Sequence, residues 1–156
     1  MKLWLVAVGQ RMPRWVDEAF SDYAKRLPSE TPLLLKEVRA ETRGSSISPE
    51  AVMEREAQRI DAAIPPGARV VALDERGDRL TSASLARELD RWRQDGRDVA
   101  LIIGGADGLA PRVKQRADTL LRLSDLTLPH GLARILLAEQ LYRAHSLLSG
   151  HPYHRA

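Results

Sequence analysis

The stretch that decides the fold is a run of five apolar residues followed at once by a glycine cluster: Val99-Ala100-Leu101-Ile102-Ile103, then Gly104-Gly105-Ala106-Asp107-Gly108. A short, continuous apolar run bounded by turn residues is typical of a strand buried on both faces, as in a parallel sheet. Ligands of open α/β sheets bind at the carboxyl ends of the strands, and glycines there expose backbone N–H groups to a ligand. The glycines alone are explained equally well by a tight turn with no ligand.

Working outward, three more apolar runs predict strands, at Lys2–Val8, Leu33–Val38 and Arg69–Asp74. Helical spacing predicts helices over Pro13–Leu27, from Pro49 to about Ile64, from Ser82 to Gly96, from Pro111 to about Leu121, and over Gly131–Leu148. Ser48 and Ser82 are the predicted N-caps, Glu75–Leu80 a loop, and Leu123–Leu128 a short apolar segment. The alternation predicts one α/β domain over residues 1–156, with a mostly parallel sheet and helices on both faces.

The composition narrows the class of protein. The chain has 156 residues, of which 44% are hydrophobic and 29% charged, no cysteine and a net charge of +3. Disorder and a disulfide scaffold are excluded, and no apolar run approaches the roughly 20 residues of a membrane-spanning helix. We therefore expect a cytoplasmic protein with no membrane partner.

The C-terminal tail, residues 151–156, is chemically the most unusual part of the chain. All four histidines lie in the last 27 residues, and no acidic side chain follows Glu139. The tail offers too few convergent ligands for zinc, so no metal site is expected. Tyr153 and the histidines can stack on unpaired bases, and Arg155 can bind phosphate, so the tail is interpreted as a contact surface for nucleic acid. A frayed terminus is the plain alternative.

Common nucleotide and hydrolase motifs do not fit. Ile103 occupies the first glycine position of a dinucleotide fingerprint, and no Gly-Lys-Ser/Thr follows the glycines as a P-loop requires. No Gly-x-Ser-x-Gly elbow is present, so a serine hydrolase has no support. A non-enzymatic α/β module that binds RNA or a nucleotide remains the main alternative to an enzyme, with a nicotinamide-dependent oxidoreductase third.

Four motifs together resemble the ribosomal large-subunit methyltransferase H family of the SPOUT class: Ile103–Gly108, Leu126–His130, Ala138–Ala144 and His151–Arg155. The resemblance covers essentially the whole chain. It implies a SPOUT domain with a C-terminal trefoil knot, a homodimer, and S-adenosylmethionine as methyl donor without a metal. It also implies methylation at N3 of a pseudouridine in the helix 69 loop of 23S rRNA within the ribosome.

When the functional residues of the family are matched by position to this sequence, the resemblance implies a cofactor pocket and a catalytic trio. The pocket would consist of Leu73, Gly104, Gly105, Leu123, Ser124, Asp125, Leu126, Thr127 and Leu128. The trio would be Tyr153 for stacking or hydrogen bonding, His154 as possible base and Arg155 as a clamp on phosphate or enolate. Ala106-Asp107, where many relatives have Pro-Glu, departs from the family pattern without touching the glycines.

The last helix and the basic residues suggest partners. The last helix has a wider apolar face than the sheet needs, which indicates either a dimer interface or burial within the chain. In a dimer, the tail could complete the partner's site. Twenty of the 24 basic residues are arginine, which suits phosphate although codon bias explains it as well. The expected RNA-facing residues that flank the pocket are Arg112, Lys114, Arg116 and Arg122, with Arg134 and Arg143 beyond it.

Overall fold

The computed structural model describes residues 1–44 and 46–154, and it contains a five-stranded sheet in which every pairing is parallel. The strands are β1 (Leu3–Val8), β2 (Leu33–Val38), β3 (Arg69–Arg79), β4 (Val99–Ile103) and β5 (Thr119–Arg122). Their order across the sheet is β2-β1-β4-β3-β5. The apolar run that opened the sequence analysis is thus the central strand, and all five of its residues are buried.

The helices lie in two layers, one on each face of the sheet. They are α1 (Arg14–Ala24), α2 (Pro49–Ala63), α3 (Ser82–Asp95), α4 (Pro111–Arg116) and α5 (His130–Ser149), followed by a 3-10 turn at Pro152–His154. Phe20, Leu85 and Leu137 place α1, α3 and α5 against one core cluster. Ala57 and Val113 place α2 and α4 against a second cluster. The predicted mostly parallel sheet with helices on both faces is confirmed.

The prediction of a loop over Glu75–Leu80 is wrong, because β3 continues to Arg79. Beyond Leu73 the strand shifts register and pairs again with β5, so that Leu73 and Asp78 are both partners of Leu121. The extension beyond the predicted strand, Glu75–Arg79, pairs only with the edge strand β5, and four of its five residues are exposed and polar. Its composition therefore lacks the apolar signal of a buried strand.

The predicted helix from Pro111 to about Leu121 is too long. It ends at Arg116, and the chain enters the sheet as β5 three residues later. Asp118 explains the change: its carboxylate accepts a hydrogen bond from the backbone of Val70 at 2.8 Å, and its own backbone N–H donates to the Val70 carbonyl at 2.8 Å. These two bonds fix the start of β5 against β3.

The cap predictions have mixed outcomes. Ser48 caps α2 as predicted, since its hydroxyl accepts from the backbone of Ala51 at 3.1 Å. Gly96 ends α3 in the left-handed region at φ 83°. Ser82 is not a cap: Thr81 precedes it and forms a reciprocal pair of hydrogen bonds with Ser84, a capping box. None of the helices in the described residues is both long and apolar enough to cross a membrane.

Replacing Gly77 by alanine should destabilise the fold by roughly 1–3 kcal/mol, because its Cβ would overpack the sheet. That Cβ would lie 2.7 Å from backbone atoms of Leu121, which cannot move without breaking the pairing of β3 with β5. Gly44→Ala is the matched control, since no atom lies within 4 Å of its added Cβ. Chemical denaturation measures both variants, and equal stabilities would contradict this account of Gly77.

Candidate functional site

At the carboxyl end of the sheet β3 and β4 cease to pair, and we call the region between their ends the crevice. The two strands pair as far as Ala72 and Ile102, after which β3 continues with β5 alone. Leu73 is the first β3 residue beyond this point and is half-buried. The crevice has the position at which open α/β sheets bind ligands.

The glycine loop, Gly104–Gly108, forms one wall of this crevice. An isolated antiparallel bridge joins Gly105 to Gly108, and Gly108 has a left-handed φ of 83°. A Cβ on Gly104 would lie 2.9 Å from the Gly108 backbone, and one on Gly105 would lie 2.9 Å from Glu56 Oε1. Packing against backbone therefore requires glycine at position 104 whether or not a ligand binds, whereas a side chain at position 105 would displace the Glu56 carboxylate.

The wall loop, Leu123–Pro129, lies between β5 and α5. Leu123 and Leu73 pack against the same core cluster, and Asp125 forms ion pairs with Arg79 and Arg122, each at 3.2 Å. The Ser124 hydroxyl accepts from the backbone of Leu126 at 2.9 Å.

The apolar side chain of Leu126 is 75% exposed. Thr127 is also exposed, and Leu128 is half-buried. Leu73, the glycines and the wall loop thus all lie at one end of the sheet.

A buried arginine joins this end of the sheet to α5. Arg134 is 1% exposed, and its guanidinium forms an ion pair with Glu37 at 2.5 Å. It also donates to the carbonyl of Gly9 at 2.7 Å and to His130 Nε2 at 2.9 Å. The ends of β1 and β2 and the first turn of α5 are thereby held by one side chain.

His130 extends this network to the glycine loop. Because Nε2 accepts from Arg134, Nδ1 carries the proton and donates to the Gly104 carbonyl at 3.1 Å. Burial lowers the pKa of His130, and the adjacent Arg134 guanidinium lowers it further. The imidazole is therefore neutral at neutral pH, as this hydrogen-bond pattern requires.

Tyr153 lies on α5 rather than free in solution. Its hydroxyl donates to Glu139 Oε1 at 2.9 Å, and Arg143 forms an ion pair with the same carboxylate at 2.8 Å. The Tyr153 ring packs on Tyr142, with 4.6 Å between ring centroids. Burial and then the Glu139 carboxylate raise the pKa of Tyr153 to about 12, so the phenol stays neutral at physiological pH. The tail is therefore not a frayed terminus at this residue.

His154 follows in the same 3-10 turn and is half-buried. Its Nδ1 atom is buried and has no hydrogen-bond partner among the residues that the structure describes. Arg155, the third predicted catalytic residue, lies outside the described residues.

The tail and the crevice are separated within one chain. His130 touches the glycine loop, whereas Tyr153 is bound to Glu139, nine residues further along α5. At 1.5 Å per residue, this is about 13 Å of helix. The structure therefore brings the predicted cofactor residues together but does not bring the tail to them.

The structure contradicts one member of the predicted RNA-facing surface and pairs the others with carboxylates. Arg134 is buried, and Arg143 is engaged by Glu139. On and near α4, each basic side chain has a carboxylate partner: Arg112 with Glu54 and Asp61, Arg116 with Asp61, Lys114 with Asp74, and Arg122 with Asp125. This surface consequently has little free positive charge for phosphate.

Sequence reasoning missed the residues that hold the site. Glu37 lies 97 residues before Arg134 in the chain, so no local pattern connects it with His130 and Arg134 on α5. The available signal at Arg134 was an arginine at helical spacing from Leu137 and Leu141, on the apolar face of α5. Among the described residues, no group of three or more histidine, aspartate or glutamate side chains is placed to hold a metal ion.

Comparisons with known proteins agree with this geometry. The family model described as predicted SPOUT methyltransferase matches residues 1–154. A Burkholderia multivorans protein called ribosomal RNA large subunit methyltransferase H is 58% identical over 156 residues, and one of the same name from Burkholderia mallei is 60% identical. Both alignments cover 100% of each chain.

Two solved structures share the fold at low sequence identity. A probable methylase family protein from Haemophilus influenzae Rd KW20 has a TM-score of 0.57 and 13% identity, covering 97% of this chain and 69% of that one. A structure described as giving insights into the 2-OH methylation of C/U34 on tRNA has a TM-score of 0.52 and 20% identity, covering 96% and 97%.

Arg134→Met should lower the free energy of unfolding by about 3 kcal/mol, because it leaves Glu37 and two half-buried acceptors, the Gly9 carbonyl and His130, without their donor. Arg14→Met is the control: the Arg14 side chain is 92% exposed, so its change should stay within about 0.5 kcal/mol. Urea denaturation followed by circular dichroism measures both. A loss below about 1 kcal/mol for Arg134→Met would contradict the role given to this network.

Proposed function

The chain belongs to the ribosomal RNA large subunit methyltransferase H family of SPOUT methyltransferases, and from this membership we propose that it methylates 23S rRNA in the ribosome. The methyl donor is S-adenosylmethionine, and the acceptor is N3 of a pseudouridine in the loop of helix 69. The observation that carries this proposal is identity of 58–60% over the full length of relatives with that name. The crevice at the carboxyl end of the sheet supports it.

The residues at the crevice fit the donor. Leu126 is a large apolar side chain with 75% exposure, as expected of a pocket wall that packs on a ligand. We propose that Leu73, Leu126 and Leu128 hold the adenine ring, and that the backbone of the other predicted pocket residues binds its polar groups. When bound, S-adenosylmethionine supplies a methyl group already activated on a sulfonium, so positioning provides much of the rate.

We propose that the tail residues act on the base that receives the methyl group. N3 carries a proton that must leave, and His154 is the candidate to accept it. Tyr153 is not a base, since its pKa is raised to about 12, and it instead holds the tail on Glu139. Arg155 is the candidate to stabilise negative charge on the base or to bind phosphate.

We propose that the enzyme is a homodimer formed through α1 and α5. Trp15 is 55% exposed, and Leu132, Leu136 and Leu148 are each 38–39% exposed on α5. Large apolar side chains exposed on two adjacent helices are typical of an interface. The opposite part of α5, with Leu137 and Leu141, is buried in the core, so burial within the chain accounts for those residues and the proposed interface for the exposed ones.

A dimer also explains why the tail lies about 13 Å of helix from its own crevice. We propose that each tail completes the crevice of the partner subunit. The single-domain organisation over residues 1–156 and the cytoplasmic location, expected from the sequence, and the trefoil knot, expected from the family, stay predictions.

The experiment that tests the function is mass spectrometry of rRNA nucleosides. Ribosomes that lack the modification are incubated with the protein and S-adenosylmethionine carrying a labelled methyl group. We expect label in N3-methylpseudouridine from 23S rRNA. Donor binding by calorimetry without methyl transfer to these ribosomes would favour the non-enzymatic RNA-binding module instead.

Deleting residues 152–156 should abolish methyl transfer but leave donor affinity nearly unchanged, because the tail lies apart from the crevice of its own chain. Leu126→Asp should instead weaken donor binding and leave the tail intact, because a charged side chain replaces an exposed leucine of the pocket. Mixed dimers of the two chains should recover about a quarter of the wild-type activity, because half the dimers are mixed and each has one complete site.

Leu126→Met is the control for the pocket change and should keep both donor binding and activity. No recovery in mixtures whose heterodimers are verified by tag-based purification would show that the tail acts within its own subunit. Normal turnover by the truncated chain would show that the tail has no role in methyl transfer.

A further inference from the structure

We propose that a groove between α2 and the segment that follows β2 binds the phosphate backbone of the substrate RNA. This inference rests on the proposed function and names the surface that meets the RNA. The arginine groove has a volume of about 530 Å³ and is lined by Arg39, Glu41, Arg55, Gln58, Arg59 and Ala62. Three guanidinium groups thus surround a single carboxylate.

The three arginines differ in how firmly they are engaged. Arg59 is held in place, since it donates to Glu41 at 2.7 Å and to the Arg39 carbonyl at 2.9 Å. Arg55 is exposed and reaches Glu41 only at 3.7 Å. The Arg39 side chain is exposed and has no ion pair or hydrogen bond within the described residues. A preorganised guanidinium beside two available ones suits bidentate contacts with phosphate oxygens.

The groove is joined directly to the glycine loop. Glu56 lies on the inner side of α2, next to Arg55, and is 5% exposed. Its carboxylate accepts from the backbone of Glu41 at 3.0 Å, and it would lie 2.9 Å from a Cβ on Gly105. A strand whose phosphates lie in the groove would therefore pass close to the crevice proposed to hold the methyl donor.

Elsewhere the positive charge is largely neutralised. The basic residues of α4 are paired with carboxylates, as are Arg14, Arg26, Arg69, Arg91 and Arg97. Arg11, Arg76 and Arg87 are exposed and have no ion pair within residues 1–44 and 46–154, but none of them lines the groove, and Arg87 belongs to the other helical layer. The groove is therefore the place where an excess of arginine coincides with a concave surface next to the crevice.

The proposed dimer leaves this groove accessible. Its exposed apolar residues lie on α1 and α5, whereas the groove lies beside α2 on the opposite face of the sheet. RNA and the partner subunit therefore approach different faces of one chain, which suits an enzyme that must bind both at once.

The test is the double variant Arg39→Gln/Arg55→Gln, which removes charge from two exposed side chains and keeps Arg59 in place. We expect affinity for unmethylated large ribosomal subunits to fall roughly tenfold at moderate salt, and the slope of log affinity against log salt to become shallower by about 1.5. The donor affinity and the melting temperature should not change. Arg87→Gln is the matched control and should keep the wild-type slope.

The outcomes separate this inference from the proposed function. If the wild-type protein methylates the subunits and the double variant binds them with unchanged affinity and slope, the groove is not the RNA surface. Equal losses in Arg87→Gln would show a diffuse effect of net charge and would also overturn the inference. If the wild-type protein does not methylate the subunits at all, that result contradicts the proposed function rather than the role of the groove.

Discussion

The arrangement of the site depends on finding hydrogen-bond acceptors for one buried guanidinium. An arginine cannot lose its charge inside a protein, so Arg134 must be fully paired where it is buried. Its partners are Glu37 from β2, the Gly9 carbonyl after β1 and His130 one turn earlier on α5. His130 then holds the Gly104 carbonyl after β4. Three strand ends and the start of α5 are in consequence fixed relative to one another, and the wall loop is fixed at its far end.

Elements with a strong local signal could be predicted from the sequence. The predicted bounds of β2 and β4 match the structure because their apolar runs end at a charged residue or a glycine. The extension of β3 could not be predicted, since its residues face solvent beside an edge strand and are polar. The end of α4 depends on Asp118 bonding to Val70, a contact between residues 48 apart in the chain. Local patterns contain no information on such a partner.

In the candidate site, too, features with a local sequence signal could be predicted, and contacts between distant residues could not. Glycines after a buried strand indicated the crevice, and the family resemblance added the wall loop. Which arginines are free to meet RNA depends on distant carboxylates such as Glu54 and Asp61, so the basic motif of α4 was misleading. The tail was recognised by its composition, but its attachment to Glu139 depends on how the chain turns after Gly150.

The two outer strands of the sheet have a consequence for aggregation. An exposed strand edge can add a strand from another molecule, and proteins prevent this with short edge strands and lysines. Here β5 has only four residues, and β2 carries Lys36, whose ammonium group donates to the Ala63 carbonyl at 3.0 Å and lies over the ring of Trp4. Extension of the sheet from one molecule to the next is thereby disfavoured. The proposed dimer instead uses the helical layer, where contacts between side chains can stop at two copies.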